Sequence, residues 1–329
     1  MDDKEPIGLV RVTDLANGAP ASGVPAIVVA ISCLNEARTI GKVIADFQRA
    51  LPEASILVVD NGSEDVTSRL AQAAGARVLT EHRRGKGWVL QTIFSAVDAD
   101  VLVIVDGDDT YPAEAVRQLI APVLAGEADM TVGNRLAHPE AGAFGGGHLV
   151  GNRLIVRVLN TCFGRRFSDV LSGYRALSRR LFQEVPLITK GFEIETELTI
   201  QVLERGFVVR EVPITYRPRG HDSFSKLRTF RDGYRIILTM IVLMRDHRPL
   251  VFFSLLALAC VGIGLGTAVW ALRTVLGSWA FHVVAMSATV VAGLAGLALF
   301  LTGLVLNTIN TRFHEVTVLL NRHTRRHDA

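Results

Sequence analysis

Cysteine is scarce in this chain of 329 residues, and its three copies, Cys33, Cys162 and Cys260, stand far apart in a strand, a helix and an apolar run. That spacing excludes a disulfide framework and a zinc site and leaves reduced packing residues. The opening Met1-Asp2-Asp3-Lys4-Glu5-Pro6 has neither a basic n-region nor an apolar h-region, so no secretory leader is expected. Gly-x-Gly-x-x-Gly is missing, which disfavours a dinucleotide fold, and so is a phosphate loop ending in Gly-Lys-Ser/Thr. No internal repeat is found. The formal net charge is only +3, and the basic residues crowd around the apolar runs. Such crowding fits anionic lipid head groups and not nucleic acid.

Two of those runs dominate the C-terminal third. Neither Pro249 to Leu272 nor Phe281 to Leu306 contains a charged residue, and each meets the roughly 20 residues needed to cross about 30 Å of hydrocarbon. Two transmembrane helices are expected, joined by a short turn. Lys226, Arg228, Arg231, Arg235, Arg245 and Arg248 precede the first run, and Arg312, Arg322, Arg325 and Arg326 follow the second. The turn carries only Arg273, so both ends are expected in the cytoplasm, the chain being a multi-pass protein of the cell (inner) membrane. Gly262, Gly264 and Gly266, with Gly293, Gly296 and Gly303 across the turn, are expected to let the helices approach closely. Phe230, Tyr234, Ile237, Leu238, Ile241 and Met244 recur at helical spacing, the pattern of a helix lying in the interface plane.

Upstream, strand and helix patterns alternate. Ile27 to Leu34, Ser55 to Val59, Arg77 to Thr80, Val101 to Val105 and Met130 to Val132 read as strands. Arg38 to Leu51, Glu64 to Ala74, Lys86 to Val97 and Ala113 to Leu124 read as helices. This is an α/β architecture of roughly 200 residues with a mostly parallel sheet. The expected division is a flexible tail over 1–25, a catalytic domain over 26–224, interfacial amphipathic helices over 225–248, two transmembrane helices over 249–309 and a basic tail over 310–329.

The chemistry gathers at the strand ends. Asp106-Gly107-Asp108-Asp109 begins where the apolar run 101–105 stops, the edge at which open α/β sheets bind ligands. Asp106 and Asp108 can share one hard divalent cation and leave it positions for a diphosphate; an acidic turn is the other reading. Cys33-Leu34-Asn35-Glu36, Asp60-Asn61-Gly62-Ser63-Glu64-Asp65 and Arg83-Arg84-Gly85-Lys86-Gly87 follow three further strands. Together they favour a nucleotide site over coincidental helix caps.

The ordered set Ala30-Ile31-Ser32-Cys33-Leu34-Asn35-Glu36, Val58-Val59-Asp60-Asn61-Gly62-Ser63, Asp106-Gly107-Asp108, Gly133-Asn134-Arg135 and Leu171-Ser172-Gly173-Tyr174-Arg175 resembles the family 2 glycosyltransferases of GT-A fold. Ser223-Phe224-Ser225-Lys226-Leu227, close before the apolar hairpin, is similar to the polyprenyl-phosphate branch that includes dolichyl-phosphate mannose synthase. The resemblance spans about Ala26 to Leu243. It departs at Asp60-Asn61, where the family's pair is acidic, and the Gln-x-x-Arg-Trp motif of processive synthases is missing. It implies that Glu36 and Asp60 hold the nucleoside and that Asp106 and Asp108 bind Mg²⁺ or Mn²⁺ on the diphosphate of a nucleotide sugar. Lys86 is a candidate for the same diphosphate or a solvated loop lysine.

A polyprenyl phosphate acceptor needs cationic positioning more than a base, because its second pKa is near 6. Arg135, Arg153, Arg217 and Lys226 are the candidates, with Arg135 matching the family's position best and Lys226 next. Asp169 is expected to orient a sugar hydroxyl, serve as base or pair with an arginine. Glu195 and Glu197 are kept as sugar-contact candidates, although acids at a helix start are favoured by the dipole alone. The glycine-rich Ala141 to Gly147 segment is a candidate lid or a plain surface loop. The resulting expectation is a membrane-anchored, metal-dependent, inverting hexosyltransferase acting on polyprenyl phosphate, with mannose or glucose as the sugar. A homo-oligomer is left open. Alternatives are a transferase with another lipid or protein acceptor, or a non-catalytic scaffold or lipid transporter, against which uncharged spans weigh.

Overall fold

The computed structural model describes residues 10–11, 25–140, 167–191, 193–218, 248–273 and 279–327, with parts of 152–161 and 234–246. Lys226, the Ser223–Leu227 motif, the Ala141–Gly147 segment and Cys162 lie outside the described residues. Two compact units emerge, Met1–Thr239 and Met240–Ala329.

In the first unit the expected strands form as β2 (Ile27–Cys33), β3 (Ser55–Asp60), β4 (Arg77–Thr80), β6 (Val101–Asp106) and β7 (Met130–Pro139). Two strands that periodicity did not mark complete the sheet, β8 (Arg175–Ser178) and β9 (Val209–Tyr216), giving the order β4-β3-β2-β6-β8-β7-β9. Only β8 runs antiparallel to its neighbours. The carboxyl ends of all the other strands and the amino end of β8 therefore share one edge. Within the segment read as a flexible tail, β1 (Val10–Arg11) pairs in parallel with β5 (Val97–Asp98).

Both faces of β2 are covered, which is why its run is apolar without alternation. Val29 and Ile31 pack toward α1 (Ile40–Ala50), α2 (Thr67–Ala73) and α4 (Val116–Leu124). Val28 and Ala30 face a second layer built on α3 (Lys86–Ala96), α5 (Arg179–Glu184) and α6 (Ile194–Glu204). Each fully buried valine or isoleucine contributes about 1.5–3 kcal/mol, so this strand, with the equally buried β3 and β6 beside it, forms the centre of the core. β9 is an edge strand, where Pro213, which lacks an N–H, is tolerated. Pro213 lies opposite Asn134, and the β7–β9 register shifts between Asn134 and His138. A bulge of this kind re-aims side chains.

The second unit contains α7 (Pro249–Arg273) and α8 (Trp279–His327), and the latter runs as one helix through the boundary expected at 309. Pro249–Leu272 and His282–Arg312 are long and apolar enough to cross a membrane. Their outer surface exposes Leu258, Ile263, Leu265, Val284, Met286 and Leu294, a composition suited to anchoring in lipid. Three of the six glycines serve the helix contact. A Cβ at Gly264 would stand 3.2 Å from Ala292 Cβ, at Gly296 3.1 Å from the Ala257 carbonyl, and at Gly303 2.8 Å from Phe253 Cβ. Gly262, Gly266 and Gly293 would meet nothing within 4 Å and face away from the partner helix. Thr289 Oγ1 lies 3.1 Å from Thr267 Oγ1 and donates to the Gly264 carbonyl at 3.2 Å, tying the two helices together. Tyr234, Ile237, Leu238 and Ile241 are helical and exposed.

Candidate active site

Asp106 closes β6 and Asp108 follows across Gly107. The Gly107 N–H donates to the Ser32 carbonyl at 2.9 Å. A Cβ at 107 would come within 3.2 Å of Cys33 Cβ, a tight contact, so glycine lets the acidic loop lie close against β2. Ser32 Oγ donates to Asp106 Oδ1 at 2.9 Å. Asp108 is buried, its Oδ1 accepting from Thr110 N at 3.2 Å and Thr110 Oγ1 at 2.6 Å. Asp109 takes a left-handed φ of 62°, and Asn35, after β2, takes 52°. Left-handed backbone at non-glycine residues is costly and gathers at functional loops. Here Lys42 Nζ at 2.7 Å and Arg217 Nη1 at 3.6 Å both reach Asp109 Oδ1.

Lys86 joins the donor edge directly. Its Nζ lies 2.7 Å from Asp106 Oδ1 and 2.7 Å from Glu195 Oε1. Burial would push this ammonium down, but the two carboxylates outweigh it and its pKa is raised. The flanking glycines have a steric cause. A Cβ at Gly85 would fall 2.1 Å from the Lys190 carbonyl oxygen, and one at Gly87 2.1 Å from that of Thr189. Gly87 N donates to Lys190 O at 3.1 Å, so the loop 188–191 straps Lys86 in place. Glu197 holds that strap, accepting from Ile188 N at 2.9 Å, Thr189 N at 2.8 Å and Thr189 Oγ1 at 2.6 Å. Both oxygens of its carboxylate therefore serve the loop. Glu195, by contrast, reaches the Lys86 cluster. Asp106 and Asp108, hard oxygen donors two apart on one loop, suit a divalent cation that completes its shell with diphosphate oxygens. Among the described residues no group of three or more His, Cys, Asp or Glu stands close enough together to hold a metal by itself.

At the end of β3, Asp60 is buried and spends both oxygens locally, Oδ1 on Ser63 N at 3.0 Å and Ser63 Oγ at 2.5 Å, Oδ2 on Ser68 Oγ. Glu36 is buried, and its backbone N–H donates to Thr67 Oγ1 at 2.9 Å. The departure at Asn61 has a structural use. Asn61 Nδ2 donates to the carbonyls of Glu81 at 3.0 Å and Arg83 at 2.7 Å, and its Oδ1 accepts from Gly85 N at 2.8 Å. A carboxylate could not make the two donations.

Arg135, in the bulged stretch of β7, forms a two-pronged pair with Asp169, Nε to Oδ2 at 2.7 Å and Nη2 to Oδ1 at 2.8 Å. Its backbone N–H also donates to Asp169 Oδ2 at 3.2 Å. Leu136 N donates to Asn134 Oδ1 at 3.0 Å, so side chains satisfy the bulge that the ladder does not. Burial would raise the Asp169 carboxyl, but Arg135 outweighs it and holds the group below the usual range. Tyr111 stands between the two charged systems. Its hydroxyl accepts from Gly173 N at 2.9 Å, beside Asp106 and Lys86, and its ring lies 5.2 Å from that of Tyr216, over which Arg135 sits at 5.3 Å. Burial raises the Tyr111 pKa, which keeps the hydroxyl protonated.

The structure thus brings together Asp106, Lys86 and Glu195, with Asp108 beside them, and, past Tyr111, Arg135 with Asp169. Arg217 joins the Asp109 side of the acidic loop, with Nη2 3.4 Å from Glu114. Arg153 is exposed, and no hydrogen bond or ion pair among the described residues ties it to either system. Arg175, quoted only as part of a motif, is fully buried. It donates to the carbonyls of Ser172, Val170 and Glu195 and to Thr199 Oγ1 at 2.8–2.9 Å, fixing the start of α6 against the loop before β8. Burial pushes its pKa down to about 10, still cationic at neutral pH. No sequence pattern marks such a residue, because its role depends on the carbonyls of the preceding loop meeting Glu195 and Thr199 of α6 around one guanidinium.

A mostly parallel sheet with carboxylates and a strapped lysine at its carboxyl edge is the arrangement of a nucleotide-sugar transferase of GT-A type. Residues 28–185 match glycosyl transferase family 2. The chain belongs to that family, and it is a hexosyltransferase by its relatives. It is 35% identical over 273 residues to glycosyltransferase AglJ of Haloferax volcanii, covering 83% of this chain and 88% of that one. With the dolichyl-phosphate hexose transferase of the same organism it shares 30% identity over 222 residues, 68% of this chain and 95% of the relative. Among solved structures it is similar to glucosyl-3-phosphoglycerate synthase from Mycobacterium tuberculosis in complex with Mn²⁺ and uridine-diphosphate-glucose. The two share 25% identity with a TM-score of 0.55, over 67% of this chain and 79% of that one.

Proposed function

We propose that this protein transfers a single hexose, mannose or glucose, from a nucleotide-diphosphate sugar to a polyprenyl phosphate, with inversion at the anomeric carbon, at the cytoplasmic face of the inner membrane. The observation that carries the reading is the pair of charged systems on either side of Tyr111. One is suited to a donor diphosphate, Lys86 with Asp106, Asp108 and Glu195; the other, Arg135 with Asp169, is suited to a phosphate acceptor. Similarity to a dolichyl-phosphate hexose transferase supports the acceptor class, and the two apolar helices supply an anchor for meeting a lipid. The synthase that binds Mn²⁺ and uridine-diphosphate-glucose supports the donor class and the cation.

A phosphate monoester with a second pKa near 6 is largely dianionic at neutral pH. Its oxygen attacks C1 of the sugar, the bond from C1 to the diphosphate oxygen breaks, and the nucleoside diphosphate departs with the electron pair. Direct displacement inverts the centre, and no proton has to move. Asp169 agrees with that, since its pairing with Arg135 makes it a poor base. Held by Asp106 and Asp108, Mg²⁺ or Mn²⁺ would stabilise charge on the departing diphosphate. Lys86 keeps a fixed positive charge beside the same carboxylate, and Glu195 orients it. Arg135 offers a guanidinium already fixed in place, so little ordering is needed when phosphate arrives. Lys226 is assigned to the acceptor phosphate through the family motif alone.

Purified full-length protein incubated with polyprenyl phosphate and a panel of labelled nucleotide sugars should yield one labelled lipid-linked hexose from one donor, dependent on Mg²⁺ or Mn²⁺. Label passing instead to protein or to a lipid without phosphate would overturn the acceptor assignment.

A further inference from the structure

Glu211 takes no part in the chemistry described so far, yet it sits directly behind it. It lies on β9 opposite Val132 of β7, three residues before Arg135. One oxygen of its carboxylate, Oε1, accepts from two consecutive backbone N–H groups, Ser168 N and Asp169 N, each at 2.8 Å. Asp169 then presents both of its own oxygens to Arg135. The order is thus carboxylate, backbone, carboxylate, guanidinium. A half-buried acid placed beside another acid needs a reason, because like charges in a site of low polarity repel. Two amide donors on one oxygen supply it, since such charge-assisted bonds are among the stronger ones available.

The segment 167–171 is a loop and not a strand, so the sheet ladder does not hold it. Pro213 cannot donate, and the register beyond it is broken. Glu211 stands in the registered part of β9, two residues before Pro213, where that pairing ends, and its side chain reaches across to fix the loop. From this geometry we infer that Glu211 is a positioning residue for the acceptor phosphate, acting through Asp169 on the orientation of Arg135. The inference rests on the acceptor role proposed for Arg135.

Three variants of the full-length protein test it, Glu211→Ala, Glu211→Gln and Glu211→Asp, with farnesyl phosphate as acceptor and the nucleotide sugar that proves active in the panel. Losing both bonds should raise the KM for farnesyl phosphate about tenfold in Glu211→Ala. The donor KM should stay within about twofold, since the hydrogen bonds that run from Glu211 through the 168–169 backbone and Asp169 to Arg135 include no residue of the Asp106–Lys86–Glu195 cluster. Glutamine keeps an oxygen acceptor and should restore acceptor KM; aspartate keeps the charge but is one methylene short and should not. Amide exchange of the peptide containing residues 168–171 should quicken in the alanine and aspartate variants and recover in the glutamine variant. An unchanged acceptor KM in Glu211→Asp, or equal damage to donor and acceptor KM, would overturn the inference. Failure of the wild-type protein to glycosylate farnesyl phosphate with any donor would remove the acceptor reading instead, and the exchange measurement would still decide whether Glu211 fixes the Asp169 loop.

Discussion

Replacing Lys86 with methionine keeps the side-chain length and removes the charge, leaving Asp106 and Glu195 to face each other. Each lies 2.7 Å from the same nitrogen, so their near oxygens are at most twice that distance apart. Two unit charges at such a separation repel by roughly 3 kcal/mol at an effective dielectric of about 20. That agrees with the about 3–5 kcal/mol lost when one partner of a buried ion pair is removed. For a domain of this size it corresponds to a fall of ~10 °C in Tm. The variant relieves repulsion by binding a proton, so one carboxyl pKa is raised in the folded state. A raised folded pKa contributes stability that is present at low pH and is lost as pH rises through it. The deficit in Lys86→Met relative to wild type should therefore be smaller at pH 5 than at pH 8. Chemical denaturation of detergent-solubilised protein at both pH values measures it, and transfer should fall about a hundredfold in parallel. A deficit below about 1 kcal/mol at pH 8, or one that grows on acidification, would refute the reasoning.

Asp108→Asn should abolish transfer with little change in Tm, because it removes from an edge loop a charge proposed to hold the cation; full activity, or undiminished activity in excess EDTA, would take the cation out of the mechanism. Arg135→Ala should lower turnover with polyprenyl phosphate far more than nucleotide affinity measured by calorimetry, and should cost about 3–5 kcal/mol of stability by stranding the buried Asp169 charge. Glu81, whose carboxyl is held down to about 2 by hydrogen bonds from Arg83, should contribute up to about 3 kcal/mol that is present above pH 4.5 and lost as pH falls toward 2. Denaturation of Glu81→Gln should show a gap from wild type at pH 6 that narrows to about half or less at pH 3, and a constant gap would contradict the assignment. In a background without native cysteines, a cysteine at Ser278 should react with an impermeant thiol reagent in intact cells and one at Thr324 only after permeabilisation; the reverse pattern would exclude the cytoplasmic placement.

Several elements follow from the sequence by itself because their causes are local. An apolar run that stops at an acid fixes β6 and the place of Asp106, and two runs longer than a bilayer is thick fix the helical hairpin. The ordered motifs also identify the family. Other features depend on residues far apart in the chain. β8 escaped the periodicity because a buried arginine opens it, and Arg175 is tolerated only where carbonyls of residues 170, 172 and 195 converge. Nothing near Gly85-Lys86-Gly87 discloses that the 188–191 strap needs the space of both missing side chains. Glu195 and Glu197 look alike in the sequence, two acids in the first turn of a helix. Folding sends one to Lys86 and the other to the strap, because a side chain's partner is set by which distant segment the sheet order brings beside it. Likewise the sequence places Arg135 after a strand, while the broken register opposite Pro213 and the Glu211-held loop decide that its guanidinium meets Asp169.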